Sequence, residues 1–440
     1  MAKYFGTNGV RGLFNELGPE LTLKIAQAVG LKKGKMLVAR DCRLTGPVLS
    51  ASVVAGLSSV GCDVIELGIV SAPTAEYMIK KLKTDGCMII TASHNPPEWN
   101  AIKVVDKDGV AISSERGEKI EKLMEKIELA KWDKTGKISY YDRATADHID
   151  AIKKLVDTEK INKRKLKIVL DCGNGTASVI APRLFKELGI EIITLNSHMD
   201  GRFPGRPSEP TKANVGELIA AVESSKADAG IAWDADGDRV IFVDEKGGYV
   251  IGDNVYALSA MWKLAKEKGD VVTTIATSKV IEDVAAKFGS KVRYTAIGAP
   301  YLCEEMIKKP AVIGGEEVGG VIWPELSLAK DGFLTAAKLA EALCEKKLSE
   351  WLSEIPEYHN VKMKINADEE RKKKIVKKVL EHAKKNKLNF VDVDGVRVNM
   401  KNAWVIVRAS GTENYVRIFA EAKTKEEAEK LAEEYKKIVS

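Results

Sequence analysis

The length, composition and charge of the chain exclude several classes of protein. Its 440 residues suffice for two to four domains, each with a core of its own. The hydrophobic fraction of 45% and the charged fraction of 30% are ordinary for a globular protein. A net charge of +6 is too small for this length to indicate nucleic-acid binding without a basic patch.

The basic stretches, the cysteines and the lengths of the apolar runs argue against further classes of protein. Residues 160–167 read as a connector and residues 371–378 as the solvated face of a helix, so neither predicts a nucleic-acid partner. The six cysteines form no Cys-x-x-Cys pair, which favours reduced, packed thiols. The chain begins without the apolar core of a signal peptide, and no run reaches the roughly 18 apolar residues of a membrane span. We therefore expect a cytoplasmic protein.

In chain order, three stretches repeat one series of predicted elements. They cover residues 35–90, 167–233 and 271–313, and in each a strand, a helix, a strand, a helix and a strand follow one another. Each stretch runs into a polar loop. Such units build parallel or mixed sheets with helices on both faces, and ligands collect beyond the carboxyl ends of the strands. Three loops in equivalent places predict three domains that face one cleft.

The rest of the chain predicts a smaller domain of another type. Its expected elements are a strand over 361–365, a basic helix over 369–384, strands over 403–408 and 415–422, and an amphipathic helix over 425–438. The predicted fold class is α/β, with three tandem βαβαβ-type domains of mixed or parallel sheets and a C-terminal α+β domain around a central cleft. We place the domains at residues 1–150, 151–250, 251–356 and 357–440.

The first polar loop, Thr91–Pro97, has a serine at the end of a buried predicted strand. Two prolines follow Ser93 and His94, so the chain turns and cannot continue as a helix, which exposes the hydroxyl of Ser93. An ordinary turn in which Ser93 caps the backbone is the alternative. No Gly-x-Ser-x-Gly motif and no Ser-His-Asp order accompany the loop, which argues against an esterase.

The second polar loop contains Asp234, Asp236 and Asp238 in alternation. On an extended segment these carboxylates project to one side, where they repel one another unless a cation lies among them. Oxygen ligands without histidine or cysteine favour Mg²⁺ over zinc. An acidic surface turn is the alternative, whereas the pattern of an EF-hand is absent from the sequence.

Three further loops offer groups for a phosphate or a sugar. Arg11, in a loop with three glycines, is a fixed donor for phosphate. Arg408 and Arg417 flank a loop with two hydroxyls, and together they can cradle a phosphate dianion. Glu316 and Glu317 lie in an expected flexible loop, where a carboxylate can accept two sugar hydroxyls. Plain turns with exposed charges are the alternative for all three loops.

The charges of these loops suggest one reaction. A phosphorylated serine, three aspartates and one Mg²⁺ leave a charge of about −3, which Arg11, Lys103 and Arg239 can balance. Phosphoryl transfer needs in-line positioning and charge neutralisation more than covalent machinery. The combination suggests a sugar phosphate as substrate: the cradle holds the phosphate already present, and the serine exchanges phosphate at the opposite end.

The five loops, in this order, resemble those of the α-D-phosphohexomutase family, especially its archaeal phosphoglucosamine mutase-like and phosphomannomutase-like members. The resemblance covers essentially the whole chain and implies four domains around a central cleft. It implies Ser93 as the phosphoserine and as a metal ligand, with a catalytic role also for His94. The other implied residues are Asp234, Asp236 and Asp238 for Mg²⁺, Arg11, Lys103 and Arg239 for catalysis, with Lys103 involved in proton transfer, and Glu316, Val318, Arg408, Ser410, Gly411, Thr412 and Arg417 for the substrate.

The resemblance also implies a ping-pong reaction through a hexose 1,6-bisphosphate. Phosphoserine gives its phosphate to the free hydroxyl, the bisphosphate turns around, and the serine takes back the other phosphate. Five positions depart from the family's pattern, and they bear on the sugar rather than on the nucleophile. These are Ala296, Ala299, Val318, Gly320 and Asn414.

By resemblance, we expect conversion of glucosamine 6-phosphate to glucosamine 1-phosphate. A phosphomannomutase or phosphoglucomutase is the alternative within the family. Alternatives of other classes are a metal-dependent phosphatase that uses Ser93 and a non-catalytic protein that binds sugar phosphates. The expected partners are small sugar phosphates, with no nucleic acid and no membrane, and the expected state is a monomer or a homodimer.

Overall fold

A computed structural model describes residues 3–6, 9–410 and 414–439. The chain divides into two structural units. The first contains residues 1–255 and 318–352, and the second contains residues 256–317 and 353–440. Among the described residues, no helix combines the length and the apolar character needed to cross a lipid bilayer.

The first sheet of the first unit has seven strands. They are β1 (Phe5–Gly6), β2 (Gly9–Leu13), β3 (Lys35–Arg40), β4 (Asp63–Ile69), β5 (Gly86–Ile90), β6 (Trp99–Asp106) and β7 (Ile138–Tyr140). Their order in the sheet is β1-β2-β6-β5-β3-β4-β7. Strand β3 is parallel to β4 and β5, whereas β6 is antiparallel to β5 and β2. The carboxyl ends of β3 and β5 therefore meet at one edge, from which the serine loop emerges.

Helices cover both faces of this sheet. They are α1 (Phe14–Leu17), α2 (Pro19–Gly30), α3 (Gly46–Ser59), α4 (Ala72–Lys81), α5 (Ser114–Leu123) and α6 (Ala144–Lys153); α7 (Thr158–Arg164) follows α6 in the chain. Proline in the first turn of α2, α3 and α4 suits a helix start because that N–H has no partner within the helix. Met36 and Val38 of β3 belong to one apolar core, and Leu37 and Ala39 to another, as the alternation of side chains along a strand requires.

The second sheet of this unit carries the aspartate loop. Its strands are β8 (Lys167–Asp171), β9 (Glu191–Leu195), β10 (Ala229–Trp233), β11 (Val240–Asp244) and β12 (Tyr249–Val250), and the helices beside them are α8 (Ala177–Glu187) and α9 (Gly216–Ser225). The order is β12-β11-β10-β8-β9, with β10 parallel to β8 and antiparallel to β11. All ten residues of β10 and β11 are buried, so their connection lies at the end of a fully covered hairpin.

Between residues 252 and 353 the chain passes into the second unit and back. The elements are α10 (Gly252–Leu264), β13 (Val271–Thr274), α11 (Val280–Lys287), β14 (Val292–Thr295), α12 (Ala299–Lys308), β15 (Ile313–Glu316), β16 (Gly320–Ile322), α13 (Gly332–Leu343) and α14 (Leu348–Ser353). Strand β13 lies between β14 and β15 and is parallel to both. The third predicted stretch was expected to finish with a strand that ends at residue 313, which is wrong in position, because β15 begins at that residue.

The C-terminal part of the second unit is an antiparallel sheet with two helices. Its elements are β17 (His359–Asn366), α15 (Glu369–Lys385), β18 (Asn389–Val391), β19 (Val396–Asn399), β20 (Ala403–Ala409), β21 (Tyr415–Ala422) and α16 (Lys425–Val439). The order is β17-β21-β20-β19-β18. Buried apolar residues of α15 and α16 share one core with the sheet, while the lysines of α15 are largely exposed.

The α/β fold class is confirmed, and most predicted elements lie within two residues of the observed ends. Several strands were not predicted because they are short or lack alternation: all three side chains of β7, for example, are exposed. The basic stretch 160–167, expected as a connector, contains the end of helix α7. The expectation of reduced, packed cysteines agrees with the structure, in which all six are free and five are buried.

Candidate active site

Ser93 lies at the carboxyl edge of the first sheet, shortly after β5. Its φ of +48° is a left-handed conformation that is uncommon outside glycine. Its hydroxyl Oγ donates to Asp234 Oδ2 over 2.8 Å, and its backbone N–H donates to Thr91 Oγ1 over 3.0 Å. The hydroxyl therefore contacts the aspartate loop, whereas an ordinary turn serine would cap its own backbone.

The three aspartates lie on a turn between β10 and β11, so the extended segment expected for them is wrong. Gly237 permits the turn, because its φ is +78° and a Cβ there would lie 2.6 Å from the Phe333 ring. One carboxylate oxygen from each of Asp234, Asp236 and Asp238 lies within 4.8 Å of the others, and all three residues are buried. The carboxylates converge through the curvature of the turn.

Burial and repulsion change the acidity of these carboxyl groups. Burial and, after it, the charge of Asp238 raise the pKa of Asp234. Burial and, after it, the charges of Asp234 and Asp238 raise the pKa of Asp236 well above its ordinary value. Burial also acts upward on Asp238, but Lys330 and Lys103 outweigh it and lower that pKa to about 2. The cluster therefore holds negative charge that the surrounding cations neutralise unevenly.

The donor set of this cluster fits a hard divalent cation. It offers carboxylate oxygens, the ligands that Mg²⁺ prefers. Asp236 Oδ1 and Asp238 Oδ1 are buried and, among the described residues, have no hydrogen-bond partner. A buried polar atom without a partner is costly, and a cation at the convergence point would give both atoms one. The residues could thus hold a metal ion.

Two lysines place positive charge beside the cluster. Lys103 Nζ, on β6, lies 2.6 Å from Glu76 Oε1, and Glu76 is only 4% exposed. Burial acts to lower the pKa of Lys103, but the carboxylates of Glu76 and Asp238 outweigh it and the net shift is upward. The Lys103 side chain is therefore a cation at neutral pH. Lys330 Nζ lies 3.1 Å from Asp238 Oδ2.

The structure brings the other predicted residues of this unit to the same place. Arg11 Nη1 donates to Asn95 Oδ1 over 2.7 Å, which ties β2 to the serine loop. Arg239 Nε lies 3.9 Å from Asp238 Oδ1. Burial, followed by the charges of Arg239 and Arg11, lowers the pKa of His94 to about 3, so its ring is neutral. Ser93, His94, the three aspartates and their cations thus form one constellation.

In the second unit, Glu316 is the last residue of β15. The flexible loop expected around it is wrong at this residue, which is in a strand and 6% exposed. Glu317 Oε2, one residue on, accepts from Thr274 Oγ1 over 3.1 Å. Burial and the charge of Glu316 raise the pKa of Glu317. Two carboxylates thus stand together at a strand end, where each can accept hydroxyl groups. Val318, in the first unit, is half-buried.

The second unit also has a row of cations across three neighbouring strands. Arg408 on β20 faces Arg417 on β21, and Arg417 faces Lys364 on β17. Arg408 Nε lies 2.8 Å from Asp394 Oδ1, and Arg417 Nη2 donates to Tyr415 OH over 2.9 Å. Like charges directly opposite one another destabilise an antiparallel pair, so this row indicates a site for an anion.

The loop between β20 and β21 is described only at its ends. Ser410 is buried, and its carbonyl oxygen accepts from Lys372 Nζ over 2.8 Å. Gly411 and Thr412, which were expected to contact phosphate, lie outside the described residues, as does Asn8 of the glycine loop.

Sequence reasoning missed four residues of the constellation. These are Arg43, Glu76, Thr91 and Lys330. Thr91 lies in the serine loop, and its hydroxyl donates to Asp236 Oδ2 over 3.2 Å. Arg43 comes shortly after β3, and Ser93 comes shortly after β5. Because β3 and β5 are parallel neighbours, the position of Arg43 after its strand could have predicted that it lies near Ser93. Glu76 and Lys330 offered none, because each reaches the site from a distant part of the chain.

The chain matches one family domain by domain. The matching descriptions are the α/β/α domains I, II and III of phosphoglucomutase/phosphomannomutase, over residues 2–131, 146–248 and 251–358, and the C-terminal domain of the same proteins, over residues 364–438. These matches cover most of the chain and include each of the loops described above.

Relatives and a solved structure agree with this match. The chain is 40% identical over 446 residues to the phosphoglucomutase/phosphomannomutase of Thermococcus kodakarensis, covering 98% of this chain and 97% of that protein. It is 37% identical over 452 residues to the phosphoglucosamine/phosphogalactosamine mutase of Sulfurisphaera tokodaii, covering 100% and 99%.

The fold is similar to the crystal structure of a phosphoglucomutase/phosphomannomutase family protein from Burkholderia thailandensis. The TM-score is 0.88 at 25% identity, and the match covers 99% of this chain and 96% of that one. The resemblance indicated by the five loops is confirmed. The chain belongs to the phosphoglucomutase/phosphomannomutase family, the α-D-phosphohexomutases, and is an intramolecular phosphotransferase.

Proposed function

We propose that the protein moves phosphate between positions 6 and 1 of a hexose phosphate and carries it on Ser93 during the exchange. One observation supports this most directly: Ser93 Oγ lies 2.8 Å from Asp234 Oδ2, at the edge of a buried cluster of carboxylates. A serine hydroxyl there can form and break a phosphate ester beside a divalent cation.

In this proposal the first unit performs the transfer. Asp234, Asp236 and Asp238, with an oxygen of phosphorylated Ser93, would hold one Mg²⁺. When bound, this ion supplies positive charge that stabilises the phosphoryl group in flight. The Thr91 hydroxyl accepts from the backbone N–H of Ser93 and donates to Asp236 Oδ2. It thus links the serine loop to the aspartate loop.

The cations of the first unit would balance the remaining charge. Arg11 and Arg239 are fixed guanidinium groups beside the serine loop and the aspartate loop. Lys103 keeps its proton because of Glu76, which favours it as a charge partner, while its part in proton transfer is proposed from the family resemblance. His94, neutral in the unphosphorylated protein, can donate one hydrogen bond to a phosphate.

The second unit would bind the rest of the substrate. Arg408, Arg417 and Lys364 form a row that can hold the phosphate not being transferred, and Ser410, Gly411 and Thr412 would complete the cradle. Glu316 would accept the sugar hydroxyls, with Val318 as a further substrate contact. In terms of domains, residues 1–150 would carry the phosphoserine, 151–250 the metal, 251–356 the sugar and 357–440 the phosphate.

The exchange would follow a ping-pong course. Phosphorylated Ser93 gives its phosphate to the free hydroxyl of the bound sugar phosphate, which becomes a hexose 1,6-bisphosphate. The bisphosphate turns around, and Ser93 takes back the other phosphate. A cradle that only recognises a dianion suits both orientations, because either phosphate can occupy it.

The preferred sugar is proposed to be glucosamine 6-phosphate, with glucosamine 1-phosphate as product. The relative from Sulfurisphaera tokodaii is named for glucosamine and galactosamine phosphates, whereas that from Thermococcus kodakarensis is named for glucose and mannose phosphates. The name of the Thermococcus kodakarensis relative supports the alternative, a phosphomannomutase or phosphoglucomutase. The protein would act on these small molecules alone, as a monomer or a homodimer.

Intact mass and a single variant test the central claim. The purified protein is incubated with glucose 1,6-bisphosphate and Mg²⁺, and we expect a mass increase of one phosphate that peptide mapping assigns to Ser93. Ser93→Ala should take no phosphate and lose at least about 10⁴-fold in turnover, since a nucleophile has no substitute. Ser139→Ala, on the exposed strand β7, is the matched control with unchanged turnover. Normal turnover by Ser93→Ala would refute the proposal.

Rates with different sugars test the preference. The 1-phosphates of glucosamine, mannose and glucose are compared by kcat/KM, with inorganic phosphate release measured in parallel. We expect glucosamine 1-phosphate to react fastest. If it reacts slowest, the preference is wrong, and if phosphate is released faster than the sugar is isomerised, the protein is a phosphatase.

A further inference from the structure

Arg43 is a charged residue in the interior of the first unit. It follows β3 at the carboxyl edge of the first sheet and is only 1% exposed. Its backbone N–H and its Nε both donate to the carboxylate of Asp41, over 2.9 and 3.0 Å. Asp41 is likewise 1% exposed, so the two charges form a closed, buried pair. The predicted loops did not include either residue.

The rest of the guanidinium group donates to backbone carbonyls of the serine loop and of the first residue of β6, and its carbon lies 5.0 Å from the centroid of the Phe203 ring. Nη1 donates to the carbonyl oxygens of Pro96 and Trp99, over 2.5 and 3.0 Å. Nη2 donates to those of Ser93 and Asn95, over 2.8 and 2.7 Å. A guanidinium has five N–H groups in one plane. With Nε on Asp41, all five are engaged, four of them on backbone carbonyls.

This arrangement bears on the conformation of the nucleophile. The carbonyl of Ser93 itself is one of the four acceptors, and the φ of +48° at this residue is one that a serine seldom adopts unaided. Other residues also hold the loop: Arg11 donates to the Asn95 side chain, and Thr91 accepts from the Ser93 N–H. Ser208 Oγ donates to the carbonyls of His94 and Asn95 over 2.6 and 3.0 Å.

Lysine could not reproduce these contacts. Its ammonium has three donors around a point, whereas four carbonyls face two nitrogen atoms of a planar fork. A lysine at this position would leave at least one carbonyl and part of Asp41 without a partner. The loop would then be free to relax toward a more common backbone conformation, which would shift the Ser93 hydroxyl relative to Asp234.

We propose that Arg43 is a positioning residue that holds the phosphate-carrying serine in its reactive conformation, by binding the carbonyl oxygens of Ser93, Asn95, Pro96 and Trp99 at once. Arg43 acts through the backbone of the loop. The inference rests on the proposed function of Ser93 and adds to it the residue that sets the geometry of the nucleophile.

The test compares Arg43→Lys, Arg43→Met and Arg43→Ala with a matched control. Arg293→Lys is the control, because Arg293 also binds carboxylates and a carbonyl, those of Asp270, Glu305 and Lys309, at a place outside the proposed site. Each protein is mixed with glucose 1,6-bisphosphate and Mg²⁺, and the phosphorylation of Ser93 is followed by intact mass over time at several concentrations. Thermal midpoints are recorded for all variants.

A positioning role predicts a specific pattern. The maximal rate of Ser93 phosphorylation should fall about 100-fold in Arg43→Lys, the loss expected when a reacting group is misplaced by about 1 Å. The concentration giving half-maximal rate should stay within about 3-fold, because the loop carbonyls do not bind the sugar phosphate. Arg43→Met should lose more, and guanidinium ion added to Arg43→Ala should restore part of the rate. Arg293→Lys should keep the wild-type rate.

The outcomes separate this inference from the proposed function. If the wild type takes no phosphate on Ser93, the proposed function fails whatever Arg43 does. If the wild type is phosphorylated and folded Arg43→Lys reacts at the same rate, the positioning role is wrong. Should the Arg43 variants not fold, Asp41→Asn decides, because it keeps the size of the residue and removes the charge that orients Arg43. A wild-type rate in that variant would overturn the inference.

Discussion

The aspartate cluster of the first unit and the arginine row of the second each concentrate charge, of opposite sign in the two units. In the first, three buried carboxylates converge, and two of their oxygens have no hydrogen-bond partner among the described residues. In the second, three cations face one another across neighbouring strands. Each arrangement is unfavourable by itself. A ligand of the opposite charge would relieve each of them, and we propose a divalent cation for the first and a phosphate dianion for the second.

The two regions also differ in how their arginines are used. Arg43, in the first unit, is fully buried and gives every donor to the protein. Arg408 and its partner Asp394 are both 23% exposed, and the cross-strand partner of Arg408 is another arginine. A guanidinium that is saturated by the protein can only shape the site, whereas a partly exposed one beside a like charge can bind substrate. The three predictions below test this contrast, in order of expected effect.

Asp236→Asn should have the largest effect, in the region of excess negative charge. The loss of one metal ligand should reduce turnover at least about 100-fold at a fixed Mg²⁺ concentration. Replacing a residue that only hydrogen-bonds to a metal ligand already lowers metal affinity or activity about 10- to 100-fold. In EDTA the variant should be at least as heat-stable as the wild type, because repulsion among the carboxylates is reduced. Turnover against Mg²⁺ concentration and melting in EDTA measure both effects.

Asp200→Asn is the control for this experiment. Asp200 forms a pair with Arg202 outside the cluster, and its replacement should leave turnover and the Mg²⁺ dependence unchanged. Wild-type turnover by Asp236→Asn at low Mg²⁺ would contradict the assignment of the cluster as a metal site.

Arg417→Met should have an intermediate effect, in the region of excess positive charge. We expect KM for the sugar phosphate to rise about 10- to 100-fold, which corresponds to the loss of one charged hydrogen bond of about 1.5–3 kcal/mol. Without ligand, the variant should be no less stable, since like charges then no longer face each other. Arg371→Met, at an exposed position of α15, is the control. An unchanged KM would remove Arg417 from the cradle.

Tyr415→Phe should have the smallest effect and sharpen the role of Arg417. The change removes the hydroxyl that accepts from Arg417 Nη2 and keeps the ring. The change leaves the charge of Arg417 in place and removes only one acceptor that orients it, so we expect a loss of about 1 kcal/mol in substrate binding, which is a rise of about 5-fold in KM with kcat unchanged. An increase as large as that of Arg417→Met would mean that the tyrosine hydroxyl itself binds phosphate.

Local pattern predicted much of this structure, and the exceptions have physical reasons. Strand β10 ends at residue 233, as predicted, because five consecutive apolar or small residues before a charged loop suit a covered strand. Glu316 was expected in a flexible loop, yet β15 extends through two glycines and includes it. The aspartates were expected on an extended segment, but the turn at Gly237 brings them together instead.

The sequence by itself determined the chemical groups of the site, because each loop keeps its serine, carboxylates or arginines within a few residues and follows a recognisable strand. Only the tertiary structure decided their partners. Lys330 reaches Asp238 and Glu76 reaches Lys103 across the fold. Arg43 reaches the carbonyls of a loop some fifty residues on, because β3 and β5 are neighbours in the sheet. Such pairings follow from sheet order and burial, which set the pKa of each group and the geometry of Ser93.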